Sequence, residues 1–234
     1  MGDRNNKTKE LIRDIVEWDT KNWWRAIEFW GINEEKSLKG KKVLDIGGRN
    51  GGLSLYWALR GADVICSDLN ESGFEQAKKL QKKYGVEKRV SYERIDATKI
   101  PYKGEFDIIC FKSVLGGVGY NDNYDNQKQM MKSIYTALTD SGKLYFCENL
   151  YASPLHHYMR KRYMKWGDQW RYIHLEEIPD LTEEFRKVES STFGFCGVFG
   201  RKPFLADLMG TVDIWFDRWI KDENRYIVSC ICSK

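Results

Sequence analysis

Several things are scarce in this 234-residue sequence. It has only four prolines, few low-complexity stretches and no evident repeat, which argues against linkers and solenoids. No run approaches the roughly 18 apolar residues of a membrane span. The polar stretch Met1 to Glu10 lacks the apolar core of a signal peptide. A formal net charge of +4 is slight for this length. It is compatible with an acidic or phosphorylated substrate, but far from the basic stripe of a dedicated nucleic-acid binder. None of the cysteines, Cys66, Cys110, Cys147, Cys196, Cys230 and Cys232, has C-x-x-C spacing, so zinc and thioredoxin-like redox chemistry is disfavoured. Each lies in or near an apolar, strand-like run, as small buried thiols of a reduced compartment do. The expected location is the cytoplasm. The length fits one domain, or one domain with a cap, and can bury a substantial core.

What is present is a strong local signal. Lys42-Val43-Leu44-Asp45-Ile46-Gly47-Gly48-Arg49-Asn50-Gly51-Gly52 joins an apolar run, an acid and a glycine-rich turn. The helical pattern Leu53 to Leu59 begins at once. An α/β sheet presents a nucleotide-sized ligand to a loop and helix N-terminus in this way. A second apolar run, Asp63 to Ser67, ends at Asp68. A carboxylate there, roughly 20 residues beyond the turn, suits ribose hydroxyls.

The dinucleotide fingerprint G-x-G-x-x-G fits no register of residues 47–52, because Arg49 or Asn50 falls on the second glycine. The segment instead resembles motif I of the class I S-adenosylmethionine-dependent methyltransferases. Asp45, Gly47 and Gly51 match that pattern, while Arg49 replaces its middle glycine. Either the loop takes a different course, or the Arg49 side chain turns outward. The resemblance continues through a helix over Ser72 to Tyr84 and a third strand over Arg89 to Ile95. Asp96-Ala97 stands where the family keeps a polar residue against the adenine amino group. Glu105 to Phe111 is similar to the fourth strand, Ser113 to Gly119 to the loop beside the sulfonium, and Gly142 to Glu148 to the fifth strand.

The resemblance implies S-adenosylmethionine as cofactor and S-adenosylhomocysteine as product. The residues expected to hold them are Asp45, Gly47, Gly48, Asn50, Gly51, Asp68, Leu69, Asp96, Ala97, Lys112 and Ser113. It also implies an α/β fold: a doubly wound, mostly parallel, seven-stranded Rossmann-like sheet with an antiparallel C-terminal edge and a helical cap. Within a single domain, residues 1–39 would form N-terminal cap helices, 40–150 the cofactor-binding core, and 151–234 the substrate-side helices and closing strands.

Outside the core, Ile12, Ile15, Val16, Trp23, Ile27 and Trp30 recur with helical period. Asp19-Thr20 is a candidate break and Gly31 a stop. Such helices cover the cofactor cleft or simply dock on the core. Ser153 and Pro154 read as N-cap and first residue of a later helix. Thr182 to Phe185 reads as the next helix, Val188 to Phe195 as a strand, Pro203 to Ile220 as a helix and Arg225 to Cys232 as the closing strand.

Transfer to a hydroxyl needs a general base, and there are three histidines: His156, His157 and His174. On the helix after Ser153, Leu155, Met159 and Trp166 define an apolar face; His156 borders it and His157 points away with Lys161. The helix N-terminus favours neutral imidazole, so His156 is the candidate base. Arg160, Lys161, Arg162, Lys165 and Arg171 form either a solvated face or a dock for phosphate or carboxylate. Trp18, Trp23, Trp24, Trp30, Trp166, Trp170, Trp215 and Trp219 are packing anchors or the lining of an acceptor pocket.

Phe111-Lys112-Ser113-Val114 lacks the Pro-Pro-aromatic motif of amino-group methyltransferases acting on bases. It also lacks the aspartate of the metal-dependent catechol type, so no catalytic metal is expected. The arginine methyltransferase double-glutamate loop is absent as well. O-methylation of a small molecule or a sugar or glycan precursor remains, by an enzyme with no membrane span, no dedicated nucleic-acid partner and room for a homodimer. The rival readings are an NAD(P)-dependent oxidoreductase and a non-catalytic S-adenosylmethionine-binding module.

Overall fold

The structure, a computed structural model, describes residues 2–31, 37–163, 169–200 and 203–234. The apolar runs become strands β1 (Lys42–Ile46), β2 (Asp63–Asp68), β3 (Val90–Arg94), β4 (Phe106–Lys112) and β5 (Leu138–Asn149), followed by β6 (Lys187–Phe193) and β7 (Ile227–Ser233). They form one sheet in the order β3-β2-β1-β4-β5-β7-β6. The first five strands pair in parallel, and β7 runs antiparallel to both β5 and β6. The expected seven-stranded sheet with its antiparallel edge is therefore present.

Side chains alternate across the sheet. Val43, Ile108, Tyr145 and Ile227 enter one core cluster, and their neighbours Leu44, Ile109, Phe146 and Val228 enter the other. Both faces are covered, which is why these strands read as continuous apolar runs. Helices α3 (Gly52–Ala58) and α4 (Phe74–Lys83) follow β1 and β2. The short α5 (Leu115–Val118) and α6 (Tyr124–Ala137) link β4 to β5. The chain winds outward from β1 to β3 and returns to place β4 on the other side of β1. Strand order reverses there, and such a crevice is where open α/β sheets bind ligands.

The N-terminal segment forms α1 (Gly2–Val16) and α2 (Thr20–Glu28). They break where expected: Glu17 and Asp19 adopt left-handed backbone angles, with φ of 69° and 38°. Both helices are built into the core. Trp23, Ala26 and Ile27 are wholly buried, and Trp30 stacks on Trp57 with ring centroids 5.9 Å apart.

In the C-terminal third, α7 (Pro154–Tyr163) starts at the expected proline, and α9 (Pro203–Phe216) precedes β7. One boundary differs. The helix expected over Thr182 to Phe185 lies a turn earlier, as α8 (Ile178–Leu181), with proline in its first turn. Thr182 ends it, its hydroxyl donating to the Ile178 carbonyl at 2.7 Å. Among the described residues no helix is long and apolar enough to cross a membrane. Lys165 and Trp166 lie outside the described residues.

Candidate active site

Asp45, near the end of β1, is 1 % exposed and accepts a 2.6 Å hydrogen bond from the Ser54 hydroxyl on α3. Burial pushes its carboxyl up to about 7. The turn that follows is packed without spare room. A Cβ on Gly48 would lie 2.6 Å from the Cys66 sulfur. Gly51, at φ 80°, would drive one to 2.8 Å from the Ala77 Cβ on α4. Arg49 keeps the left-handed backbone its missing glycine would favour, at φ 42°. Its N–H donates to Asp68 Oδ2 at 3.2 Å. Its side chain turns outward, 65 % exposed, with Nη1 3.8 Å from Glu17 Oε2. The glycine-loop geometry is thus kept without the glycine.

Above the carboxyl ends of the strands lies a cleft of about 1200 Å³. Asp45, Gly47, Gly48, Asn50, Asp68, Leu69, Asp96, Lys112 and Ser113 all line it. Gly51 and Ala97 do not: Gly51 faces α4 and Ala97 is buried in the core beneath. Asp68 Oδ1 accepts from the Asn70 N–H at 2.9 Å, so each of its oxygens takes one backbone donor. Asp96 Oδ1 accepts from the Thr98 N–H and hydroxyl at 2.9 and 2.7 Å, and the Thr98 bonds hold its carboxyl below the usual range.

At the end of β4, the Lys112 Nζ donates to the Val16 carbonyl at 3.1 Å. It also lies 3.6 Å from the Trp18 ring centroid and 4.8 Å from that of Trp23. Burial lowers its ammonium to about 8. Beside it, Glu148 is wholly buried on β5. Its Oε2 accepts from the N–H groups of Val114 and Leu115, both at 2.7 Å, and its Oε1 from that of Asn149 at 2.8 Å. These bonds fix the loop after β4. Burial, opposed by these hydrogen bonds, pushes the Glu148 carboxyl up to about 7.

The same cleft is also lined by Asp19, Asn149, Arg160, Trp170, Tyr172 and Tyr226, with Gly197 and Gly200. Most of these carried no motif. Asp19 was visible as a helix break, and Arg160 and Trp170 only as members of larger groups. Asp19 is 3 % exposed. Its Oδ2 accepts from the Asn22 amide at 2.9 Å and from the Tyr226 hydroxyl. Its Oδ1, also buried, has no hydrogen-bond partner among the described residues. Burial raises this carboxyl to about 6.

His156 is not part of this wall. Its ring is wholly buried, with Nδ1 2.7 Å from the Ser153 hydroxyl and Nε2 2.8 Å from the Phe195 carbonyl. Donation from Nε2 and acceptance at Nδ1 leave no ring nitrogen for an acceptor, which corrects the expectation of a catalytic base here. The imidazole is neutral as expected, but burial is the cause, lowering it to about 4. The helical phase differs too. Leu155 is 52 % exposed, whereas His156 and Arg160 form the buried face of α7. His157 stacks on Tyr151.

The basic residues separate in the same way. Lys161 and Arg162 are exposed, Arg171 pairs with Glu177 and Asp122, and Arg160 is 3 % exposed. Of the tryptophans, Trp23 and Trp30 are core anchors, Trp18 and Trp170 reach the cleft, and Trp215 and Trp219 are exposed at 75 % and 63 %.

Comparison with known proteins agrees with this geometry. Residues 44–146 match a family model described as a methyltransferase domain. The chain is 30 % identical over 181 residues to a ubiquinone biosynthesis O-methyltransferase of Azotobacter vinelandii, covering 76 % of this chain and 71 % of that one. It is 26 % identical over 158 residues to a ubiquinone/menaquinone biosynthesis C-methyltransferase of Shewanella baltica, covering 66 % of this chain and 59 % of the relative. Among solved structures, the phosphoethanolamine N-methyltransferase 2 of Haemonchus contortus superposes with a TM-score of 0.60 at 17 % identity. It covers 91 % of this chain and 52 % of that one.

The buried carboxyl of Asp45 makes a stability prediction. Its folded value of about 7 stands above the ordinary 3.8, so the folded state holds the extra proton between those values. Its stabilising effect is full below about 4 and is lost as pH rises through 7. Between pH 5 and 8, Asp45→Asn should remove roughly 2–3 kcal/mol of the fall in unfolding free energy. Urea titrations of both proteins at the two pH values check this; parallel pH dependences would contradict it.

Proposed function

Since this chain belongs to the S-adenosylmethionine-dependent methyltransferases, we propose that it methylates an oxygen of a small molecule or of a sugar or glycan precursor. The observation that carries the reading is a single cleft lined both by the glycine turn with Asp45, Asp68 and Asp96 and by Asp19, Arg160, Trp170, Tyr172 and Tyr226. The first group suits a nucleoside, and the second, here called the acceptor lobe, an acceptor.

The residues present fit the cofactor. Each Asp68 oxygen takes one backbone N–H and keeps acceptor capacity for a ribose diol. Asp96, fixed by Thr98, would receive the adenine amino group, with the exposed Leu69 side chain against the base. The Gly47-Gly48-Arg49-Asn50 backbone, with Lys112 and Ser113, would hold the amino-acid end. When bound, S-adenosylmethionine supplies a methyl group already activated by the sulfonium charge. The protein then has to align the acceptor and exclude water, and the α1–α2 corner with Trp18 would roof the cleft for that purpose.

The relatives include an oxygen and a carbon methyltransferase by name, so the oxygen assignment rests on this chain. Lys112-Ser113 ends β4 without the prolines of the amino-group enzymes. In the acceptor lobe, Asp19 would take the hydroxyl proton, since its Oδ1 accepts no hydrogen bond and its carboxyl titrates near 6.

Calorimetry tests the cofactor half. S-adenosylhomocysteine should bind with micromolar or better affinity and NAD negligibly. Asp68→Ala should weaken the former about 10- to 150-fold. Tighter binding of NAD, or an unchanged affinity in the variant, would contradict the reading. Transfer of labelled methyl to sugar and phenolic hydroxyls tests the other half. The rate should rise with pH through about 6 as Asp19 ionises, and Asp19→Asn should lower turnover about 10²- to 10⁴-fold without changing cofactor affinity. A pH-independent rate would exclude Asp19 as the base.

A further inference from the structure

A guanidinium in the wall of the acceptor lobe is left incompletely satisfied. Arg160 projects from α7 and is 3 % exposed, yet it lines the cleft. Its Nη1 donates to the Leu150 carbonyl at 2.6 Å and weakly to that of Tyr151 at 3.4 Å. Its guanidinium carbon lies 4.1 Å from the Tyr172 ring centroid. Its Nη2, itself buried, has no hydrogen-bond partner among the described residues.

Other partly buried arginines find acids within the protein. Arg171 pairs with Glu177, and Arg225 with Asp217 and Asp222. No described carboxylate forms an ion pair with Arg160. Glu148, which influences it electrostatically, has both oxygens committed to backbone N–H groups. Arginine does not shed its proton in proteins, and a buried charge without a counter-charge is costly. Carbonyl dipoles and the ring face offset that cost only in part. A ligand that brings an anionic oxygen to Nη2 completes the site.

We propose that Arg160 is the docking point for a carboxylate carried by the methyl acceptor, a specificity that rests on the methyltransferase reading above. A monoanion fits better than a phosphate dianion. The other cations lining the cleft are engaged, Lys112 with Val16 and Trp18 and Arg49 with Glu17, and the Asp19 carboxyl lines the same cleft. Trp170 and Tyr172 line the same cleft.

The test uses the full chain saturated with S-adenosylhomocysteine. Calorimetry then compares glucuronate with glucuronamide, benzoate with benzamide, and glucuronate with glucose 6-phosphate. At least one carboxylate should bind ten-fold or more tightly than its neutral amide. Arg160→Gln should abolish that preference and Arg160→Lys restore part of it, with S-adenosylhomocysteine affinity unchanged in both. The amide comparison on the native chain needs no variant to fold. Equal binding within both pairs, a preference that survives Arg160→Gln, or tighter binding of glucose 6-phosphate than glucuronate would each overturn the proposal. Failure of S-adenosylhomocysteine itself to bind would instead overturn the cofactor reading, so the two failures are distinguishable.

Discussion

The ammonium of Lys112 ends β4 in the interior, and it needs a partner there. A desolvated charge is tolerated only when its donors are used. The partner comes from the last turn of α1, where carbonyls lack helical N–H donors and carry the negative end of the helix dipole. Val16 supplies the carbonyl, and Trp18 and Trp23 supply ring faces. This contact ties the end of α1 to the end of β4, alongside the core packing of Trp23, Ala26 and Ile27. Glu17, Trp18 and Asp19 become part of the cleft wall as a result. The Asn50 amide, bonded to Glu17 at 2.7 Å, ties the same corner to the glycine loop.

Buried carboxyls brace the loops around the cleft. Glu148 gathers the N–H groups of the loop after β4, and Ser54 and Cys110 flank Asp45 beneath the glycine turn. Asp213 on α9 accepts from the Asn22 amide at 2.7 Å and from the N–H groups of Cys196 and Gly197 at 2.6 and 2.9 Å. It thereby joins α2 to the segment before α9. Groups fixed from behind can hold a ligand at defined geometry. Arg160 differs from them in having a donor still to place.

How much of this was legible in the sequence depends on whether the cause was local. The strands were legible because a sheet covered on both faces demands continuous apolar runs. The glycine turn and Asp68 were legible because close backbone packing at the turn, and an acid ending the second strand, follow a local spacing. His156 was misplaced because a histidine near a helix start has the same local pattern whether it faces a cleft or a core. The Phe195 carbonyl that captures it comes from 39 residues away. Arg160 was hidden among neighbouring cations for the same reason. Its burial depends on Tyr172 and on the end of β5, and no periodicity on α7 reports those contacts. Arg49 shows a subtler limit: its residue type left open whether the loop changes course or the side chain turns outward, and the second holds.

The central claim is that the crevice at the strand-order switch holds the adenosyl cofactor by its ribose, with the acceptor lobe beside it. A crystal structure of the chain with S-adenosylhomocysteine tests this most directly. The account predicts both ribose hydroxyls within hydrogen-bonding distance of the Asp68 carboxylate and the thioether facing the lobe lined by Asp19, Arg160 and Tyr172. A nucleoside seated elsewhere, or one whose ribose faces away from Asp68, would contradict it.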